Sequence, residues 1–343
     1  MINFPDVRPL LNLTGNRLVG LPLLVLYLTD GCNSRCQTCE IWRLPRRNMS
    51  VALAERLAVE GREIGLRWVL FSGGEAMQHP EWPRLAAAFR AVGVKVGLLT
   101  NGLLLRKQAE AVRQWVDALT VSLDGATAAT YAAIRGVDAL DLVLDGVRAV
   151  SDVVPTTTRT TVQRLNFREM PAIVDAALAV GARRASFLAV DVGNPEAFGP
   201  RSLPPLPDSP ALTPDDLPTF AAVLDSLEQT HAAHFAAGRI AESPAKLRRL
   251  YAHFAAAYGM AAYNGPACNA PHLSVVVEVD GRLRPCYFLP TGGTVADQPL
   301  VAALNSPEMM ALRAAYRAGQ RRECDQCVCP LYRGPKALLR GAL

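Results

Sequence analysis

Nowhere does this 343-residue chain reach the roughly twenty uninterrupted apolar residues of a membrane-crossing helix, so no helical span is expected. The first twenty residues carry Asp6, Arg8 and Arg17 and lack an apolar core ending in a small-residue cleavage site. No secretory signal is read there, and a cytoplasmic location is expected. Charge of one sign is also missing: 36 Lys and Arg stand against 31 Asp and Glu, for a net charge of +5. The cations are scattered and no basic tract is interleaved with aromatics, so nucleic acid is not an expected partner. Low-complexity tails are absent too. What the chain does have is 50% hydrophobic residues, enough to bury one large domain and a small one. It also has eight cysteines. Without an export signal, clustered cysteines in a chain of this size point to metal ligands before disulfides.

From Leu23 to about Val192, short aliphatic or β-branched runs alternate with longer Ala- and Leu-rich stretches. The pattern predicts strands over 23–28, 67–71, 94–99, 118–123, 159–163 and 185–190. Helices are predicted near 50–64, 81–92, 106–116, 140–150 and 168–180. Repeated βα units imply a parallel sheet. Polar or glycine-rich turns follow the strands, and in a βα barrel those ends share the mouth where ligands bind. Six units in place of eight predict an α/β fold built on a partial, laterally open (β/α)6 barrel. Four parts are expected: an N-terminal extension (1–22), the barrel (23–192), a proline-rich connector with Ala-rich helices (193–265) and a small α+β C-terminal domain (266–343). In the last, Asp280-Gly281 joins predicted strands over 273–279 and 282–288 as a hairpin. Thr213-Pro-Asp-Asp216, Ser243-Pro244 and Ser306-Pro-Glu308 read as helix starts, the last helix running into the final cysteines.

The first predicted strand delivers Cys32, Cys36 and Cys39 into one short loop. Three soft ligands at this spacing can wrap one face of a cubane iron-sulfur cluster and leave its fourth iron open. An open iron can chelate the amino and carboxylate groups of S-adenosylmethionine and pass an electron to its sulfonium. A structural zinc site is the alternative, but it requires a fourth nearby ligand and none is evident. Phe71-Ser-Gly-Gly-Glu75 then ends the second strand, where glycines allow close backbone approach and Glu75 can meet a cationic amine.

Taken together, these motifs over residues 23 to 190 resemble the radical S-adenosylmethionine (SAM) superfamily, whose core is a partial six-fold βα barrel. The resemblance implies that Cys32, Cys36 and Cys39 hold a catalytic 4Fe-4S cluster and that Gly73, Gly74 and Glu75 hold the methionyl amine. It further implies that Ser122 contacts the ribose or carboxylate and that Arg135, in Ile134-Arg-Gly136, pairs with the methionyl carboxylate. Asn166 and Leu188 fall on strands that flank the adenosine. One departure is Thr38, where an aromatic residue often precedes the third cysteine; Trp42 is a candidate to cover that surface.

Five cysteines remain: Cys268, Cys286, Cys324, Cys327 and Cys329. A cysteine, a hairpin with Gly-x4-Cys and a distant Cys-x2-Cys resemble the auxiliary-cluster extensions called SPASM and twitch. Five thiols saturate one cluster, which suits the shorter twitch arrangement. The ligand set read here is Cys268, Cys286, Cys324 and Cys327, with Cys329 spare; as alternatives it replaces Cys327 or acts as a hydrogen-atom or proton donor. A zinc ribbon is the alternative for this half. Asp191, after the sixth strand, is a candidate substrate contact or base. His231 and His234, one helical turn apart, read as an exposed face before a metal pair.

These readings imply an enzyme that cleaves SAM reductively and abstracts hydrogen from a substrate. The auxiliary 4Fe-4S cluster would accept an electron, giving dehydrogenation or a related oxidation. About twenty residues precede the first strand, which favours a small-molecule substrate over a peptide. A peptide crosslinking or epimerising maturase is the alternative, and a noncatalytic iron-sulfur or zinc protein is the alternative of another class. A reductant such as flavodoxin or ferredoxin and a monomeric state are expected.

Overall fold

In the computed structural model, residues 6–195, 197–199 and 201–339 are described. Six parallel strands, β1 (Leu23–Thr29), β2 (Trp68–Gly73), β3 (Lys95–Thr100), β4 (Ala118–Ser122), β5 (Thr156–Val162) and β6 (Arg184–Ala189), lie in sequence order. Period-2 alternation sets their two faces. Leu24, Leu26 and Leu28 of β1 are fully buried, whereas Val25 and Tyr27 between them are half-buried on the opposite, lumen face. The same alternation on β5 turns Thr157, Arg159 and Thr161 toward the lumen.

The sheet does not close. On the far side of β1 comes β7 (Ser274–Val277), parallel to it, then the antiparallel β8 (Arg282–Arg284) and β9 (Gly293–Thr294). The C-terminal part thus extends the barrel's own sheet. The predicted return strand is shorter than expected: it ends at Arg284, and Cys286 sits in the following turn, its carbonyl accepting from Leu289 N. At the other edge, β6 meets only an isolated bridge from Ala185 to Ile240 and the helix Pro244–Ala257 packed beside it.

Local signals account for the helix starts. Thr213 and Asp216 form a capping box ahead of the helix Leu217–Thr230, and Ser243 caps Pro244–Ala257 through Lys246 N. Ser306 does the same for Pro307–Arg317, which stops short of the last cysteines. His231 is buried instead of exposed: its Nε2 lies 3.1 Å from Asp175 Oδ1 and its Nδ1 2.8 Å from Thr230 Oγ1. No helix among the described residues is long and apolar enough to cross a membrane.

One buried cation holds the C-terminal part to the N-terminal segment. Arg313, 0% exposed, donates to the carbonyls of Pro271, Asn16 and Leu304. Nearby, burial and then Arg313 and Arg317 push the pKa of His272 down to about 4. In the unfolded chain the imidazole protonates below about 6.5, while in the fold it stays neutral to about 4. The unfolded state therefore binds more protons between these values, and stability falls as pH drops through that window, by on the order of 3 kcal/mol in all. Urea unfolding at pH 7.5 and pH 5 should show the loss, and His272→Asn should flatten it.

Candidate active site

The strand end that launches the cysteine loop is locked to its neighbour. A bulge between Tyr27 and Thr29 re-aims the end of β1. Gly74 N then donates to Thr29 O (2.7 Å) and Glu75 N to Gly31 O (2.8 Å). A Cβ on Gly73 would lie 2.4 Å from Thr29 O, and one on Gly74 2.4 Å from Gly31 O. Gly73 also has φ +116°, a conformation that side chains rarely adopt. In this structure the paired glycines let the cysteine loop itself dock on the strand end.

The other side of the loop rests on a helix C-terminus. Arg35 N donates to Arg135 O (3.0 Å) and Gln37 N to Ile134 O (3.1 Å), at the end of the helix Ala128–Arg135. That helix was not foreseen, although Thr127, whose hydroxyl accepts from Thr130 N, and the left-handed Gly136 are ordinary cap signals. Any Cβ on Gly136 would sit 2.5 Å from Arg35 O. From the far side, Phe198 O accepts from Glu40 N (2.8 Å), and the Phe198 ring meets edge-on that of Tyr287, which in turn lies tilted against Tyr27. Trp42 carries the Arg43 guanidinium 4.4 Å from its ring centroid, and its indole N–H is buried without a partner.

The three thiols lie close enough to oppose one another's ionisation. Burial first, then Cys36 and Cys32, pushes the Cys39 thiol up to about 12, and the other two are raised chiefly by burial as well. Such thiols stay protonated and inert until a metal displaces the proton. Cys32 Sγ already accepts from Ser34 N (3.5 Å) and the Asn101 amide (3.8 Å), the N–H···S contacts that tune sulfur ligands.

Arg135 and Asp124 form a buried pair beside these sulfurs. Nη1 of Arg135 lies 3.1 Å from Asp124 Oδ2, with side-chain exposures of 13% and 3%. Asp124 Oδ1 accepts from Thr161 N (2.7 Å), and burial nonetheless raises its pKa. Arg135 Nε is buried and unpartnered. Ser122 is half-buried at the end of β4, in register with Arg159, and Leu188 faces the cavity described below.

Three of the expected contact residues have partners within the protein. Glu75 is 1% exposed, and its carboxylate accepts from Met77 N, Thr100 Oγ1 and Asn101 N at 3.1, 2.8 and 2.7 Å. With three of about four lone-pair sites taken, it braces the strand ends and keeps one site for an amine. Asn166 is fully buried, bridging Gln163 N, Asp124 O and Thr161 O, so it supports Asp124. Asp191 is not a free base. Its Oδ2 lies 2.6 Å from Arg201 Nη2, with both side chains about 5% exposed, and its carbonyl also accepts from Arg201.

The C-terminal cysteines form a second group, and none of the eight is in a disulfide. Cys286, its thiol raised to about 12 by burial, feels Cys268 and Cys324, while Cys327 feels Cys329, Cys286 and Cys268. Tyr316 lies near Cys268, Cys324, Cys286 and Cys327 together. Cys268 and Cys286 each accept a backbone N–H, from Ala270 (3.4 Å) and Phe288 (3.3 Å). Cys329 is exposed and has Arg159 Nη1 at 3.9 Å. Among the described residues no three Cys, His, Asp or Glu side chains converge on a point for one metal ion.

Lumen-facing residues of β5 and β6, the helix Pro244–Ala257 and residues 325–330 line an open cavity of about 360 Å³, with Leu188, Cys327 and Cys329 in its wall. The family model of the radical SAM superfamily matches residues 26–177, and that of SPASM, an iron-sulfur cluster-binding domain, matches residues 268–328. The chain carries a radical SAM domain followed by a SPASM iron-sulfur domain. These domains imply a 4Fe-4S cluster, SAM and auxiliary iron-sulfur binding, and the thiol groups above are candidate ligands for them. The SPASM match starts at Cys268 and stops one residue before Cys329.

The PqqA peptide cyclase of Streptomyces rochei is 29% identical over 188 residues, covering 53% of this chain and 50% of that protein. An AdoMet-dependent heme synthase of Methanosarcina barkeri is 31% identical over 173 residues, 48% of this chain and 50% of that one. The chain thus spans about half the length of these curated relatives. Streptococcus suis SuiB, solved bound to the precursor peptide SuiA, shares the fold with a TM-score of 0.64 at 15% identity, over 87% of this chain and 68% of SuiB.

Proposed function

We propose that this radical SAM protein is an enzyme that oxidises a substrate held between the barrel lumen and the C-terminal thiols. When bound, the cofactors supply one-electron cleavage of SAM to methionine and a 5′-deoxyadenosyl radical, with the auxiliary cluster as a one-electron acceptor. The observation that carries this reading is the docking of the Cys32–Cys39 loop on Gly73-Gly74 and on the Arg135 turn, which gathers three thiols at the C-terminal end of β1. Cys32, Cys36 and Cys39 would hold the first cluster. The Gly73-Gly74 strand end would receive the methionyl amine, with Glu75 fixing that end from beneath. Arg135, whose Nε has no protein partner, and Ser122 would face the carboxylate or ribose, and Leu188 the adenosine side.

For the auxiliary cluster, Cys268, Cys286, Cys324 and Cys327 would be the ligands, a set whose four thiols all act electrostatically on Tyr316. Cys329 stays spare, exposed to the cavity, where it can return a hydrogen atom or a proton. The cavity volume suits a small molecule. A peptide is the second reading, favoured by the likeness to a peptide cyclase and to SuiB. A flavodoxin or ferredoxin would supply electrons to a monomer.

Anaerobic reconstitution followed by dithionite and SAM tests the proposal. The expected result is 5′-deoxyadenosine and about eight irons per chain, falling to about four in the Cys268→Ala, Cys286→Ala variant. A fully loaded first cluster that yields no 5′-deoxyadenosine would sink it.

A further inference from the structure

The cavity wall holds a cation that makes no ion pair among the described residues. Arg159 rises from β5 into the lumen, and its Nε is buried without a hydrogen-bond partner. Its only polar side-chain contact among the described residues is Nη1 to Cys329 Sγ at 3.9 Å, and it makes no ion pair. Two more cations, Lys246 and Arg249, line the same cavity from the helix Pro244–Ala257; Lys246 makes no ion pair, and Arg249 reaches only the carbonyl of Asn264. The acids in the wall do not answer them. Glu242 is spent on Ser186 Oγ and Phe187 N, both at 2.8 Å, and Asp325 is exposed at the edge. His253 adds no charge near neutrality, because burial lowers its pKa.

A half-buried guanidinium with an orphaned donor, in a cavity with surplus positive charge, is costly unless an anion completes it. Planar, bidentate donation suits a carboxylate. We propose that this cavity recognises a carboxylate on the substrate, with Arg159 as the anchor and Lys246 and Arg249 drawing the anion in. The inference rests on the cavity being the substrate site. The carboxylate belongs either to a free small acid or to an acidic side chain of a peptide.

Calorimetric titration of the reconstituted protein, without dithionite so that no turnover occurs, tests this separately from SAM cleavage. Two probe pairs serve: glutarate against glutaramide, and the capped peptide Ala-Ala-Asp-Ala-Ala against its Asn counterpart. The acidic member of at least one pair should bind roughly tenfold tighter than its neutral isostere. Whichever acidic probe is preferred identifies the source. Arg159→Gln should reduce the preference to about twofold or less and Arg159→Lys should keep part of it. The Lys246→Gln, Arg249→Gln variant, altered only on an exposed helix face, should retain the fold and weaken the salt dependence of acidic-probe binding. No preference for either acidic probe, or a preference that survives Arg159→Gln, would overturn the proposal. A protein that shows the preference yet makes no 5′-deoxyadenosine would fail the enzymatic reading alone.

Discussion

Gly74→Ala should cost the protein its first cluster while leaving the second. The added Cβ would fall 2.4 Å from Gly31 O, 2.8 Å from Gly31 C and 2.9 Å from Asp30 O. All three atoms are backbone, so no side-chain rotation relieves the clash. The contact has to open by about an ångström to reach ordinary packing distance, and the segment that moves leads straight into Cys32. Moving it also breaks the Gly74 N to Thr29 O and Glu75 N to Gly31 O bonds, the two ties between strand end and loop. Overpacking of this kind costs about 1–3 kcal/mol. The larger effect is on geometry, since three sulfurs displaced from a common face no longer chelate well. Iron per chain should fall from about eight to about four, with 5′-deoxyadenosine formation near background. Gly73→Ala, strained in addition by φ +116°, should be the less stable of the two. A Gly74→Ala protein with full iron content would show that the loop tolerates the shift.

Much of this site was readable before any coordinates because its signals are local. The strands announce themselves as aliphatic and β-branched runs, and Cys32, Cys36 and Cys39 mark a metal loop by spacing, which Gly73-Gly74-Glu75 one βα unit later narrows to a cluster site. What escaped depends on partners distant in sequence or hidden in compositionally bland segments. Asp191 looked like a free carboxylate at a barrel mouth, but Arg201, ten residues on through a proline-rich stretch, neutralises it. The Gly-Gly pair implied close approach to a ligand, and its partner in the fold is the chain's own loop. Glu75 and Asn166 were read as contacts because they end or follow strands. Burial and hydrogen bonds to neighbouring strand ends also make them braces, a role that only the folded chain displays. β7 read correctly as a strand, yet nothing in its sequence says that it adds in parallel to β1, because register is a property of the assembled sheet.

Arg135 and Asp124 offer the sharpest separation between holding the fold and serving the cluster. Each is a buried charge ion-paired with the other, and removing one member of such a pair typically costs about 3–5 kcal/mol. In the protein without metal the two losses should be similar. Arg135→Leu strands a carboxylate, softened by the tendency of the buried Asp124 to take up a proton. Asp124→Asn strands a guanidinium and keeps most of the hydrogen-bond framework. Loading the cluster breaks this symmetry, because Arg135 lies beside Cys36 and Cys32 and their bound thiolates supply the negative charge that Asp124 gave up. Asp124→Asn should therefore recover much of its stability on reconstitution, while Arg135→Leu should not. The first cluster's potential should move in opposite directions. Losing the nearby cation disfavours the added electron and lowers the potential; losing the nearby anion raises it. A unit charge several ångström away at an effective dielectric of about 20 is worth about 2–3 kcal/mol. For a one-electron couple that is on the order of 100 mV. Redox titration followed by electron paramagnetic resonance would read both signs, and shifts of the same sign in the two variants would place Arg135 outside the cluster's reach.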